Sequence, residues 1–329
     1  MNARPWYREP LPWFLLAIPP LLIFCLCLGP VSLPPGTLWH PTPAQESILT
    51  LRLHRLLCAF AVGGALAVSG TAYQAALRNP LVEPFILGIS GGASLGAALA
   101  ILTGLAAVSS LLLPFSSFVG ALTALAVVLL LARGHGNAYT VNIALSGIVV
   151  GSFCGSILMF LVSIANSHEM NSITWWMLGC LQPGNLPLLG FLLALLLVAT
   201  LLFFSIGRDA DALQLGMETA HSLGVPTRTV FAILLVTASL LTATAVALAG
   251  LIGFIGLIVP HLFRRLFGAT HRRLFPLTAI GGGLMLMFCD TLARVGFAQG
   301  ELPVGVITSF IGGPFFLWIL NGGKRRENG

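Results

Sequence analysis

Apolar residues arrive along this chain in long runs, and the breaks between them are short. At roughly twenty residues per bilayer crossing, the runs fall near 12–29, 56–77, 86–106, 111–132, 141–165, 186–206, 229–249, 251–265, 274–296 and 303–320. The pattern predicts an all-α polytopic membrane protein with ten transmembrane helices and no separate soluble domain, so that 1–329 form one unit. The eighth run is short and contains Pro260, so hydropathy alone leaves its status open. One internal stretch departs from the pattern. Residues 207–228, GRDADALQLGMETAHSLGVPTR, are polar yet helically patterned. Leu213, Met217, Ala220 and Leu223 recur at helical spacing, and Asp211, Gln214, Glu218 and His221 form a second, polar stripe. Gly216 is expected to divide the stretch into two short helices, and Gly224 followed by Pro226 to close it. Such a pair against a membrane-embedded body reads either as a docking surface for a soluble partner or as an interfacial helix that tidies a long loop.

Composition agrees with the bilayer. The chain is 57% hydrophobic and 8% charged, with a mean hydropathy of +0.97, too few charges to cover a soluble protein of this length. Its net charge of +6 does not point to nucleic acid, because the basic residues stand singly or in pairs beside apolar runs, where membrane topology is set. The six cysteines form no CxxC pair and lie in or beside apolar runs, as packing residues do. The N-terminus has the basic start and apolar run of a signal peptide. Pro19 and Pro20 interrupt that run and no typical cleavage site follows, so it reads as an uncleaved first span.

Arg4 and Arg8 precede the first span, and Lys324, Arg325 and Arg326 follow the last, which predicts that both termini are cytoplasmic and the number of crossings even. Ten crossings then leave 13 of the 16 basic residues inside and place 207–228 in the cytoplasm. The exceptions, Arg52, Arg55 and Arg294, fall at the outer mouth. They suit bidentate pairing with carboxylates of a partner or of an anionic substrate, or they snorkel at span ends. The 166–185 loop is also expected outside, with Trp175 and Trp176 at the interface.

Two Pro-interrupted, Gly-rich stretches, NPLVEPFILGISGGASLG (79–96) and GLIGFIGLIVPHLF (250–263), occupy corresponding places in the two halves. They read as an inverted repeat or as chance similarity between Ala/Gly-rich helices. No P-loop, HExxH or GxSxG occurs, so the chain shows no catalytic constellation of its own and no cofactor is expected. Glu83, Asp290 and Glu301 lie near span ends, and Asp290 and Arg294 are spaced to pair on one helix. No carboxylate falls at a midplane as in an ion-coupled carrier, which remains the alternative class. His168, Glu169 and Met170 lack metal-ligand spacing and read as a solvated loop, and His261 as a residue at a helix end.

Several longer strings carry more. RLHRLLCAFAVGGALAVSG (52–70), RNPLVEPFILGISGGASLGA (78–97), GMETAHSLGV (216–225), ALAGLIGFIGLIVPHLFR (247–264) and DTLAR…ELPVGVITSFIGGPFFLWIL (290–320) closely resemble the FecCD-type permeases of ABC importers for iron-siderophores, haem and cobalamin. The resemblance implies two permease subunits around a central path, two copies of a cytoplasmic ATPase, and a periplasmic substrate-binding protein at the inner membrane of a Gram-negative cell. It implies that 209–224 is a coupling-helix pair between the sixth and seventh spans, with Asp211, Leu213, Gly216, Met217, Glu218, Leu223 and Gly224 at the ATPase. By the same resemblance Arg52, Arg55 and Arg294 receive the binding protein, while Asn79, Leu81, Thr140 and Val141 form a cytoplasmic gate. Val141 departs from members that carry a polar residue at that position.

Overall fold

The computed structural model describes residues 10–132, 137–181, 185–268, 270–295 and 300–327. Among them every regular element is helical: α1 (Pro10–Cys27), α2 (Pro43–Leu77), α3 (Ile89–Leu102), α4 (Leu105–Val108), α5 (Leu112–Leu131), α6 (Asn137–Ile164), α7 (Ser167–Met177), α8 (Leu186–Ser205), α9 (Gly207–Leu213), α10 (Met217–Ser222), α11 (Thr227–Ala249), α12 (Ile255–Phe267), α13 (His271–Val295) and α14 (Val304–Glu327), with 3₁₀ turns at Pro35–Leu38 and Pro84–Leu87. Six are long and apolar enough to cross a membrane, and α1, α3 and α14 contain shorter apolar helices. Arg4, Arg8 and Arg133 lie outside the described residues.

The expected spans map onto α1, α2, α3, α5, α6, α8, α11, α12, α13 and α14, with three differences. Helix α2 starts at Pro43 rather than near 56, because the polar run before the apolar one is itself helical; Gln45 Oε1 accepts the Thr42 N–H at 2.9 Å at its start. The 166–185 loop contains a helix, α7, opened by a capping box in which Asn166 Oδ1 and Glu169 Oε2 each accept the other residue's backbone N–H. Glu169 is therefore engaged in a cap. The eighth run becomes α12, only thirteen residues long, because 250–254 is irregular and Phe254 and Gly250 both have positive φ.

Helix α2 is the axis of the bundle, and from Ala61 to Leu77 every residue is buried. Lipid gives apolar helices no hydrophobic reason to associate, so close approach by small residues and interhelical hydrogen bonds must hold them. Both occur. Gly63 of α2 and Gly282 of α13 face each other so tightly that a Cβ on either would meet the other's carbonyl. Ser69 Oγ donates to the Ala238 carbonyl at 3.0 Å, Tyr73 OH lies 2.8 Å from Ser239 Oγ, and Thr71 Oγ1 donates to Thr278 Oγ1 at 3.1 Å. These bonds fasten α2 to α11 and α13. The six cysteines are free, and all but Cys180 are buried.

The two Pro-interrupted stretches meet in space. Glu83 Oε1 accepts the N–H of Phe254 at 2.6 Å, and Pro84 packs against Gly256. Gly256 in turn abuts Gly70 of α2, seven residues in from the end of that helix, a depth of about 10 Å. Irregular backbone at that depth must find partners within the protein, and the Glu83 carboxylate supplies one. Glu83, near a span end in the sequence, is thus engaged with the irregular entry to α12.

Candidate functional site

The 207–228 stretch folds as a helix pair. Gly216 separates α9 from α10 at φ +110°, a conformation that side-chain-bearing residues rarely adopt. Helix α10 ends in a Schellman motif: the Gly224 N–H donates to the His221 carbonyl at 2.9 Å and the Val225 N–H to the Ala220 carbonyl at 3.1 Å. Leu213 and Ala220 are buried, and Met217 packs against the same core. The apolar stripe therefore faces the bundle at three of its four positions. Leu223 does not: it is 65% exposed, as Leu215 is at 64%, and Glu218 and His221 stand beside them in the open. An exposed ridge with two bare leucines flanked by one acid and one histidine is suited to burial against a partner. The polar stripe also divides. Asp211 turns inward, its Oδ1 accepting the His271 N–H at 2.9 Å and lying 2.6 Å from His271 Nδ1. Gln214 Nε2 donates to the Ala75 carbonyl at 3.0 Å.

The three exceptional arginines gather at the other end of α13. Arg55 Nε donates to Asp290 Oδ1 at 2.9 Å, and its Nη1 pairs with Glu301 Oε2 at 2.5 Å. Arg294 Nε lies 3.1 Å from Asp290 Oδ2, the expected pair one turn apart. Asp290 is wholly buried and holds both guanidinium groups. Arg52 Nη1 donates to the carbonyls of Leu26 and Cys27 at 2.7 and 3.0 Å, and its Nη2 to that of Val31. Arg294 Nη2 donates to the Cys25 carbonyl at 3.2 Å. These carbonyls belong to the last turn of α1 and the residues after it, where cations satisfy orphan acceptors and complement the helix dipole. Arg52 and Arg294 are 6% and 5% exposed. The expectation that all three arginines present themselves to a partner narrows accordingly: Arg52 and Arg294 anchor α1, and Arg55, with Glu301 beside it, keeps an open side.

The expected gate residues are held by different elements. Asn79 Oδ1 accepts the Leu81 N–H at 3.0 Å, an Asx turn that follows the left-handed Arg78. Leu81 is 44% exposed and lines a narrow crevice with Pro80, Leu257, His261, Phe315 and Phe316. Thr140 is buried in α6 and Val141 exposed beside it; neither lines that crevice. His261 stacks edge-on to Phe315, so it packs at the crevice wall. A larger apolar cleft of about 550 Å³ lies between Met177, Leu178, Leu251, Gly253, Gly305 and Phe310. Sequence reasoning missed two linkers, Gln74 and Glu83. Gln74 Oε1 accepts from Arg264 Nη2 at 3.0 Å, joining α12 to α2; an amide or carboxylate inside an apolar run was the available signal for both.

Comparison with known proteins agrees with this geometry. The FecCD transport family model matches residues 15–321. The hemin transport system permease protein HmuU of Yersinia pestis is 38% identical, with all of both chains covered. The cobalamin import system permease protein BtuC of Halobacterium salinarum is 38% identical over 85% of this chain and 74% of its own. A solved structure described as an inward-facing conformation of a metal-chelate type ABC transporter superposes with a TM-score of 0.82 at 30% identity, covering 94% of this chain and 99% of that one. A membrane-spanning helical bundle with a capped helix pair at one end and an arginine cluster at the other is, in this case, a permease of the FecCD transport family.

Proposed function

We propose that the chain is the permease of an ATP-driven importer that moves a metal chelate, such as an iron-siderophore, haem or cobalamin, from periplasm to cytoplasm across the bacterial inner membrane. Ten helices cross, α12 among them, and both termini are cytoplasmic. That topology keeps 13 of the 16 basic residues on one side and leaves α9–α10 facing the cytoplasm. A second copy of the chain completes the path, and two copies of an ATPase supply the energy. The chain itself performs no bond chemistry.

The observation that carries this reading is the exposed ridge of α9–α10. Leu215, Glu218 and Leu223 lie open on a pair whose other face is locked into the bundle. ATP closes the ATPase dimer, the ridge moves with it, and a bistable bundle passes between inward and outward states. At the far end the binding protein docks through acidic residues at Arg55, over a base held by Arg52 and Arg294. Asn79, Leu81, Thr140 and Val141 act at the cytoplasmic gate. The cleft beside α14 is lined chiefly by apolar side chains, among them Met177, Leu178, Leu251 and Phe310, which suits a bulky cargo held weakly.

The test is uptake by proteoliposomes containing the permease with and without its ATPase and binding protein. Uptake that requires ATP and the ATPase, and that survives collapse of ion gradients, is expected. Uptake by the permease alone, driven by an ion gradient, would replace this reading with a secondary carrier.

A further inference from the structure

A ridge that is pushed must be joined to something that moves, and the contacts behind α9 identify what that is. Asp211 is 36% exposed, but its carboxylate is engaged: one oxygen takes both the backbone N–H and the ring nitrogen of His271, the first residue of α13. A carboxylate there satisfies an orphan N–H and complements the positive end of the helix dipole. His271 is itself 3% exposed. Beside this bond the backbones touch. A Cβ placed on Gly207, the first residue of α9, would stand 2.5 Å from Arg272 Cα. Arg272 also lies over the ring of Phe204 in α8, 4.7 Å from its centroid. At the other end of α9, Gln214 holds the Ala75 carbonyl near the end of α2. Helices α2 and α13 are fused through Gly63 and Gly282, so α9 is fixed at two points to one rigid pair.

We propose that Asp211 is a positioning residue that fastens α9 to the start of α13, so that α9, α13 and α2 move as one body, and that it does not touch the ATPase. This departs from the place at the ATPase that the family resemblance implies for Asp211, and it rests on the coupling role proposed above. Displacement of the ridge would then travel along α13 to Asp290 and Arg294, nineteen and twenty-three residues on, roughly 28 to 35 Å away. The motor contact and the arginine cluster are two ends of one rod.

The experiment uses the assembled importer, with ATPase and binding protein, in proteoliposomes. Three quantities are read: ATPase retained in the complex, ATP hydrolysed, and substrate moved per ATP. Asp211→Ala is expected to keep the first two near wild type and to lower substrate moved per ATP about tenfold, the size of one lost charge-assisted bond. Asp211→Asn retains an acceptor oxygen and should restore most of the ratio. His271→Ala keeps the backbone bond, loses the ring contact and should fall between. A ratio per ATP is insensitive to how much protein folds, so a merely structural role would leave it unchanged; an unchanged ratio in all three variants overturns the proposal. Loss of the ATPase from the Asp211→Ala complex would place Asp211 at the motor contact and overturn it too. A wild-type complex that never binds the ATPase would overturn the coupling role itself, and this inference with it.

Discussion

Arg55 of α2 and Asp290 of α13 are bonded at 2.9 Å, with the carboxylate fully buried and Arg294 closing on its second oxygen. The pair joins the two central helices at the end opposite the α9–α10 ridge. Removing one member of a buried ion pair strands the others, at about 3–5 kcal/mol. Asp290→Ala is expected to lower the thermal stability of detergent-solubilised protein by that order and to loosen α1, which Arg294 also anchors. A melting temperature within a degree or two of wild type would show that the cluster does not hold the fold.

In the proposed docking role, an acidic residue arriving at Arg55 meets Glu301 already in place. That carboxylate is 47% exposed and already paired with the guanidinium, so an acidic docking residue competes with it. Exposed pairs contribute about 0.2–1 kcal/mol. Glu301→Gln should therefore tighten binding-protein docking by roughly two- to fivefold, and Arg55→Glu should weaken it, both measured as Kd on immobilised permease. Weaker docking in Glu301→Gln would mean that Glu301 is itself part of the contact.

The Gly63–Gly282 contact leaves no room for a methyl group. Forcing atoms into a filled interface costs roughly 1–3 kcal/mol, and more where backbone must move. Gly63→Ala and Gly282→Ala are each expected to destabilise the bundle by at least that much in a thermal melt. The double variant should cost clearly less than the sum, because the first substitution already parts the helices.

Glu83 gives the fourth test. Its removal orphans the Phe254 N–H at the irregular entry to α12, a loss of about 1–3 kcal/mol. Glu83→Ala should therefore destabilise the protein, and Glu83→Gln, which retains an acceptor, should recover much of the loss. Equal stability of the two variants would remove the bond from the account.

The helical class, the apolar helices and the divided loop at 207–228 were legible in the sequence because they follow from hydropathy and from Gly216, Gly224 and Pro226, whose conformational demands are local. The start of α2 and the helix α7 were not, because amphipathic or polar helices at a membrane edge carry no apolar run. The engagement of the arginines was not legible. That Arg52 and Arg294 hold the end of α1, or that Asp211 holds the start of α13, depends on residues 21 to 269 positions away. Stripe patterning gave Leu213, Met217 and Ala220 their inward face. It misplaced Leu223 because α10 already ends at Ser222, so Leu223 is the C-cap residue where the chain turns into the Schellman motif and leaves the helical stripe.

The central claim is that the ridge bearing Leu215, Glu218 and Leu223 takes its motion from an ATPase. The most direct measurement is the affinity of the purified ATPase subunit for the permease carrying Leu215→Asp and Leu223→Asp, against wild type, with thermal melting as the control for folding. Because both side chains already face solvent, melting should be unchanged, while the affinity should fall by about a hundredfold, as for truncation of central interface anchors. Wild-type affinity in a correctly folded double variant would contradict the account.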